Sequence, residues 1–289
     1  MLEVLRYFKQ LQTESKIEVQ SRIIADRKQN SKESLLIGKF DSDNRTWTLI
    51  GRMPNQIANY GVASGEKHVY IVGGMSNGIW LSTVEVYDDE RGLREELPSM
   101  KQARTRTAAV LHNGTLFVIG GYNGTYMNSV EIYDVKKKTW RNGPLLQRRR
   151  ADCGVVFLNE KLYVIGGFNG STYEAAIEKY DASADRFEIV GKMEEGRAGF
   201  GICSFNNCIY VAGGWSSASN TLASVRSYDP ITRTWRDEPR MSTARKYFEM
   251  YSTETAIYAI RGCADNWNRI ENCERLLSNN QWETIELAP

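Results

Sequence analysis

The sequence predicts an all-β protein built from a repeated four-stranded unit, the units being blades of a β-propeller. Three observations predict it. Paired glycines recur at Gly73-Gly74, Gly120-Gly121, Gly166-Gly167 and Gly213-Gly214, in steps of 47, 46 and 47, and a degenerate Arg261-Gly262 follows 48 later. A short strand-like run precedes each pair. A Tyr-Asp pair follows each of the first four pairs, and a large aromatic residue stands six residues beyond it after the second, third and fourth.

Each element follows from its residues. The runs Val69 to Val72, Leu116 to Ile119, Leu162 to Ile165, Ile209 to Ala212 and Ile257 to Ile260 are apolar on both alternating faces, which suits a strand covered on both sides. Blades stacked radially provide that cover. After the glycines and a polar loop comes a second strand: Val84 to Asp88, Val130 to Asp134, Ile177 to Asp181, and a weaker copy from Val225 to Asp229. Trp140, Phe187 and Trp235 mark a third strand, and Thr107 to Leu111 exemplifies the fourth. With the strands labelled A to D, A innermost, the diglycine ends B.

The unit from Leu35 to Ile50 lacks a diglycine of its own, unless Gly38-Lys39 is a decayed one, and offers only strands through Phe40-Asp41 and around Trp47. The expectation is six blades with an incomplete first, five being the alternative, over residues 35–289. Residues 1–34 read as a helical segment and linker, because Leu2, Leu5 and Phe8 with Val4 and Leu11 make one apolar face and Asp26 to Ser34 is polar.

Composition narrows the function. The net charge of +2 from 37 Lys and Arg against 35 Asp and Glu gives no global reason to expect nucleic acid or an anionic membrane. No run approaches the roughly 18 apolar residues of a membrane helix, and the five cysteines suit reduced thiols in the cytoplasm. The two histidines, His68 and His112, lie beside A to B turns, so no metal centre, cofactor site or Cys-His nucleophile is expected. The glycine pairs lack the Lys-Ser/Thr of a phosphate loop, which leaves them a backbone role. The repeated Glu and Asp of the Val-Glu-x-Tyr-Asp segments point to a structural hydrogen-bonding task. An enzyme is not expected.

Antiparallel alternation puts the D to A connections and the B to C loops on one face. Sixteen residues before each glycine pair stand Arg104, Arg150, Arg197 and Arg245, with Ile57 breaking the series. Such arginines would form a partial cationic ring for carboxylates or phosphates, or pair internally with a repeated acid. The loops add Tyr122, Asn123, Tyr126, Phe168, Asn169, Tyr173, Trp215 and Ser216, with the aromatic character enriched at binding hot spots.

The phased series of double glycine, Tyr-Asp and tryptophan resembles the Kelch repeat family over about residues 35–289. The resemblance implies a Kelch-type propeller, and similarity to the C-terminal half of Kelch-like adaptors (BTB-BACK-Kelch) implies substrate recognition for a cullin-RING ubiquitin ligase. Leu5 to Phe8 followed by Arg27-Lys28 looks like the end of a BACK domain, or equally a cap helix. In those adaptors the corresponding loops and strand-A arginines contact acidic peptide segments. The implied partners are a protein substrate, ligase components if a BTB domain is supplied, or alternatively actin.

Overall fold

The computed structural model describes residues 36–41, 46–52, 57–65, 67–88, 94–217, 220–277 and 280–285. The expected N-terminal helical segment lies outside them. Every regular element described is a strand.

Five antiparallel four-stranded sheets follow one another along the chain, each ordered A-B-C-D. Blade 1 comprises Gly61–Ser64, His68–Val72, Val84–Asp88 and Arg94–Leu97. Blade 2 comprises Ala108–His112, Thr115–Ile119, Val130–Asp134 and Thr139–Asn142. Blade 3 comprises Gly154–Leu158, Lys161–Ile165, Ala176–Asp181 and Arg186–Lys192. Blade 4 comprises Gly201–Phe205, Cys208–Ala212, Val225–Asp229 and Thr234–Glu238. Blade 5 comprises Glu249–Ser252, Ile257–Ile260, Cys273–Leu276 and Trp282–Ile285.

The fold is therefore a five-bladed β-propeller, and the expected six blades are corrected to five. Among the described residues the unit ahead of the first glycine pair is a two-stranded hairpin, Leu36–Asp41 with Thr46–Arg52. A B strand ends at a left-handed glycine pair, and this unit has none: Gly38 lies inside a strand, opposite Leu49 and beside a bulge. The hairpin aligns Phe40 with Trp47, as blade 3 aligns Tyr180 with Phe187, so it repeats the C–D half of a blade.

Burial explains the doubly apolar B strands. Val69, Val72, Leu116, Val118, Val164 and Ile209 are all completely buried, because successive blades sandwich them. One core cluster joins Tyr70, Val72 and Val86 of blade 1 to Leu116, Val118 and Tyr133 of blade 2, and similar clusters fill the next three junctions. The outer-strand tryptophans tie blades together through their indole N–H groups. Trp140 donates to Pro98 O (2.6 Å), Trp235 to Lys192 O (2.9 Å) and Trp282 to Pro239 O (2.7 Å).

The glycine pairs hold the same junctions from inside. Gly166 and Gly167 have φ of 62° and 104°, the left-handed region in which a Cβ is disfavoured. The Gly167 N–H donates to Arg197 O of the next blade at 2.8 Å, and Gly74, Gly121 and Gly214 bond to Arg104, Arg150 and Arg245 in the same way. A Cβ on Gly166 would stand 2.7 Å from the Arg197 carbonyl. The pair is thus both a turn and a close approach.

Candidate partner-binding face

The four repeated arginines are not a cationic ring at the channel mouth. Arg104, Arg150 and Arg245 are fully buried and Arg197 is 4% exposed. Each guanidinium is anchored through Nη1 on the carbonyl closing its own blade's B strand: Gly120 O (3.0 Å), Gly166 O (2.9 Å), Gly213 O (3.3 Å) and Arg261 O (2.8 Å). Nη2 of Arg104 then binds Glu131 Oε1 at 2.8 Å, and the Arg150 and Arg245 groups bind Glu178 and Glu274 likewise. Fixed in this way, these side chains cannot reach a partner.

The acids of the Val-Glu-x-Tyr-Asp segments complete the motif, as their recurrence suggested. Glu131 also accepts the N–H groups of Lys101 and Gln102, Glu178 those of Gln147 and Arg148, and Glu274 those of Ser242 and Thr243. One carboxylate thereby satisfies an arginine and two backbone donors of the D to A connection, which offsets the cost of burying both charges. Burial pulls the Arg104 and Arg245 guanidinium pKa values down, and the Glu131 and Glu274 carboxylates oppose the shift. Blade 1 has Ile57 in place of the arginine, and there Glu85 is held instead by Arg94 (Nε to Oε2, 2.9 Å) and by the Tyr87 hydroxyl (2.8 Å).

What the B to C loops present is an aromatic belt. Trp80 meets Tyr122 edge-on with centroids 6.0 Å apart, Tyr122 lies 5.0 Å from Tyr126, and Tyr126 meets Phe168 at 5.6 Å. Phe168 continues to Tyr173 (5.0 Å), Tyr173 to Trp215 (6.2 Å) and Trp215 to Trp267 (5.9 Å). The belt touches all five blades. Trp80 and Trp267 are 39% and 38% exposed, and the five predicted aromatics between them are half-buried. Rings that lean on one another lose little freedom when a partner covers them.

Three predicted loop residues take other roles. Ser216 is fully buried and its backbone pairs with Arg197, so it is withdrawn from the surface. Asn169 Oδ1 accepts the N–H groups of Ser171 and Thr172 at 2.9 Å, and its amide donates to Glu174 Oε1 at 2.6 Å, which shapes the blade 3 loop. Asn123 accepts a long bond from Thr125 Oγ1 at 3.4 Å in the blade 2 loop.

The sequence reading missed the residues two places after Ile57 and after each of the four buried arginines. Asn59, Arg106, Asp152, Gly199 and Tyr247 all have φ between 51° and 60°, and they form a staircase from blade to blade. The N–H of Arg106 donates to Asn59 O (2.7 Å), that of Asp152 to Arg106 O (2.9 Å), that of Gly199 to Asp152 O (3.0 Å) and that of Tyr247 to Gly199 O (2.7 Å). Their side chains meet next to the belt. Arg106 Nε donates to Asp152 Oδ2 at 2.7 Å, the Tyr247 hydroxyl donates to the same oxygen at 3.2 Å, and the Arg106 guanidinium lies 5.8 Å from the Tyr126 ring centre. The 46 to 48 residue spacing was the available signal, but the residue types differ at every step, so nothing repeated to the eye.

The opposite end carries the histidines. His112 stacks on Phe157 at 3.9 Å and contacts Glu160 at 2.8 Å beside the A to B turns. Among the described residues no group of three or more His, Cys, Asp and Glu side chains could hold a metal ion, and no helix is long and apolar enough to cross a membrane. All five cysteines are free thiols.

A propeller whose repeated polar residues are spent on blade junctions, and whose loop face is aromatic, defines a scaffold of the protein-interaction class. The chain belongs to the Kelch-repeat family: the KLHDC2/KLHL20/DRC7 Kelch-repeats domain matches residues 99–262, and the Kelch motif matches residues 57–101. It is 33% identical over 88 residues to human Kelch-like protein 23, covering 30% of this chain and 14% of that protein. It is 34% identical over 83 residues to Kelch-like protein 41b of Danio rerio, covering 28% and 14%, and 34% identical over 86 residues to an F-box/kelch-repeat protein of Arabidopsis thaliana, covering 29% and 22%. The matched segment is thus a small part of each relative. Kelch propellers of this kind are typical of protein-interaction and substrate-adaptor modules.

Proposed function

We propose that the loop face binds a protein substrate on behalf of a cullin-RING ubiquitin ligase in the cytoplasm, with an acidic segment of that substrate lying across the belt. The observation that carries this reading is the unbroken series of ring contacts from Trp80 to Trp267, which offers a preformed surface of hot-spot residue types. Arg106 at the belt's edge, with Arg148 and Arg149 exposed on a neighbouring connection, supports a preference for acidic residues. The likeness to Kelch-like proteins supports the adaptor role, and ligase recruitment would fall to a domain beyond the propeller.

Affinity purification of the chain with mass spectrometry, paired with sedimentation against filamentous actin, tests this. Recovery of a protein displaced by an acidic peptide, together with cullin subunits when a BTB domain is present, is the expected result. Co-sedimentation with actin and no other partner would replace it with a cytoskeletal role.

A further inference from the structure

Five Asn-Gly pairs lie in the chain, beginning at Asn77, Asn113, Asn123, Asn142 and Asn169. In such a pair the glycine nitrogen can reach the carbonyl carbon of the asparagine side chain, because no Cβ on the glycine stands in the way. Attack needs two freedoms. The glycine N–H must not be committed to an acceptor, and the side-chain amide must be able to turn back over its own peptide. The fold grants these freedoms unequally.

The Gly143 N–H donates to Val130 O at 2.8 Å, so the nitrogen beside Asn142 is held in blade 2. Asn77 and Asn113 have φ of 50° and 47° in the two-residue turns that join Met75–Ser76 to Ile79–Trp80 and Ala108–His112 to Thr115–Ile119. That left-handed backbone turns the glycine nitrogen away from the asparagine side chain, and the paired strands on either side maintain it. Asn123 and Asn169 stand outside the left-handed region, at equivalent places after the belt residues Tyr122 and Phe168, and the N–H groups of Gly124 and Gly170 have no acceptor among the described residues. There the side chains decide. The Phe168 and Tyr173 bridge encloses four residues, and in this longer tip Asn169 accepts the N–H groups of Ser171 and Thr172 at 2.9 Å and donates to Thr172 Oγ1 at 3.0 Å and Glu174 Oε1 at 2.6 Å. The Tyr122 and Tyr126 bridge encloses three, and the Asn123 side chain has one bond among the described residues, the long one from Thr125 Oγ1 at 3.4 Å.

We propose that Asn123 is a site of spontaneous deamidation, with water as the co-reactant. Gly124 N bonds to Asn123 Cγ, the Cγ–Nδ2 bond breaks, and the leaving nitrogen takes up the Gly124 amide proton and departs as ammonia. Water then opens the resulting succinimide at either carbonyl, giving aspartate or isoaspartate with no net oxidation or reduction. The new carboxylate enters the belt itself, because Gly124 packs on the neighbouring blade's ring: a Cβ there would lie 3.2 Å from Trp80 Cη2. Repulsion of an acidic partner is a consequence that rests on the proposed function, whereas the modification is read without any partner.

The test is peptide mass spectrometry of the full chain aged in mildly alkaline buffer, natively and in urea, with aspartate and isoaspartate measured at all five positions. In the native chain Asn123 should react about tenfold or more faster than Asn169, which must first surrender its hydrogen bonds, and faster than the other three. In urea Asn123 and Asn169 should converge, since their contexts, Tyr-Asn-Gly-Thr and Phe-Asn-Gly-Ser, are nearly the same. Thr172→Ala combined with Glu174→Ala removes both acceptors of the Asn169 amide, and it should speed deamidation at Asn169 several-fold while Asn123 keeps its rate. A native Asn123 no faster than the other four, or an advantage over Asn169 that persists in urea, overturns the proposal. If the double variant fails to fold, the native and urea rates of the unaltered chain decide it alone.

Discussion

Glu178 and Arg150 are both fully buried, 28 residues apart in the chain, and bonded to each other in the body of blade 3. Glu178 also caps the Gln147 and Arg148 N–H groups at 2.7 and 3.1 Å. The pair therefore stitches the D to A connection between blades 2 and 3 to strand C of blade 3. Removing one partner leaves the other charge buried and alone. Glu178→Ala should cost about 3–5 kcal/mol in urea unfolding, as broken buried pairs do, and a loss below about 1 kcal/mol would show that the motif is dispensable.

The same junction depends on glycine. Gly166→Val adds a branched side chain at φ 62°, within 2.7 Å of the Arg197 carbonyl and of the Phe200 ring. Both backbone strain and a clash with the next blade follow. A loss of a few kcal/mol, on the order of 2–4, is expected in thermal or urea unfolding. An unaltered midpoint would mean that the glycine pair is not structural.

Acid should weaken the C to D turns together. Asp134 accepts the Lys137 N–H (2.8 Å), Asp181 the Ser183 N–H (2.9 Å) and Asp229 the Ile231 N–H (2.8 Å). The Lys137 backbone bond, the Ser183 hydroxyl bond and the Ile231 backbone bond, respectively, lead in holding these carboxyls below their ordinary 3.8. A folded-state value that is depressed contributes stability above the unfolded value, and this is lost as pH falls through the folded one. The unfolding midpoint should therefore drop on acidification below about pH 4, and it should drop less steeply in a variant with all three changed to Asn. Parallel profiles would contradict the assignment.

Burial pushes the Cys153 thiol up to about 12, with Arg150 opposing, and burial likewise raises Cys273 to about 12. The thiolate is the reactive form, so neither should be alkylated by iodoacetamide in the native protein at about pH 8. Mass spectrometry should find both labelled only after denaturation. Rapid native labelling at Cys153 would show that the blade 2–3 junction opens.

Much of the propeller was legible because its signals repeat. Gly120-Gly121, the Val130 to Asp134 strand and Trp140 report one blade, and their phased copies report the next. Blade number was harder to read, since Phe40 and Trp47 imitate the C–D half of a blade, and among the described residues that hairpin pairs with no B strand. The loop aromatics were visible as types, but their contact chain requires three dimensions. Periodicity marked Arg104, Arg150, Arg197 and Arg245 as important without telling which way they face. A residue repeated in four of five blades is more readily explained by the geometry the blades share than by a partner that touches each blade differently. Arg106, Asp152 and Tyr247, which vary, stand where variation can be used.

The most direct measurement is the affinity of a captured partner for the native chain and for chains altered at the two ends of the propeller. Tyr126→Ala with Trp267→Ala removes two belt rings without touching the buried Arg-Glu pairs, and Lys161→Glu changes an exposed charge beside an A to B turn on the opposite end. If the loop face is the binding surface, the double variant should lose more than about a hundredfold in affinity with its circular dichroism unchanged, while Lys161→Glu stays within about twofold. A folded double variant that binds as the native chain does, or a Lys161→Glu chain that loses as much, would contradict the assignment of function to this face.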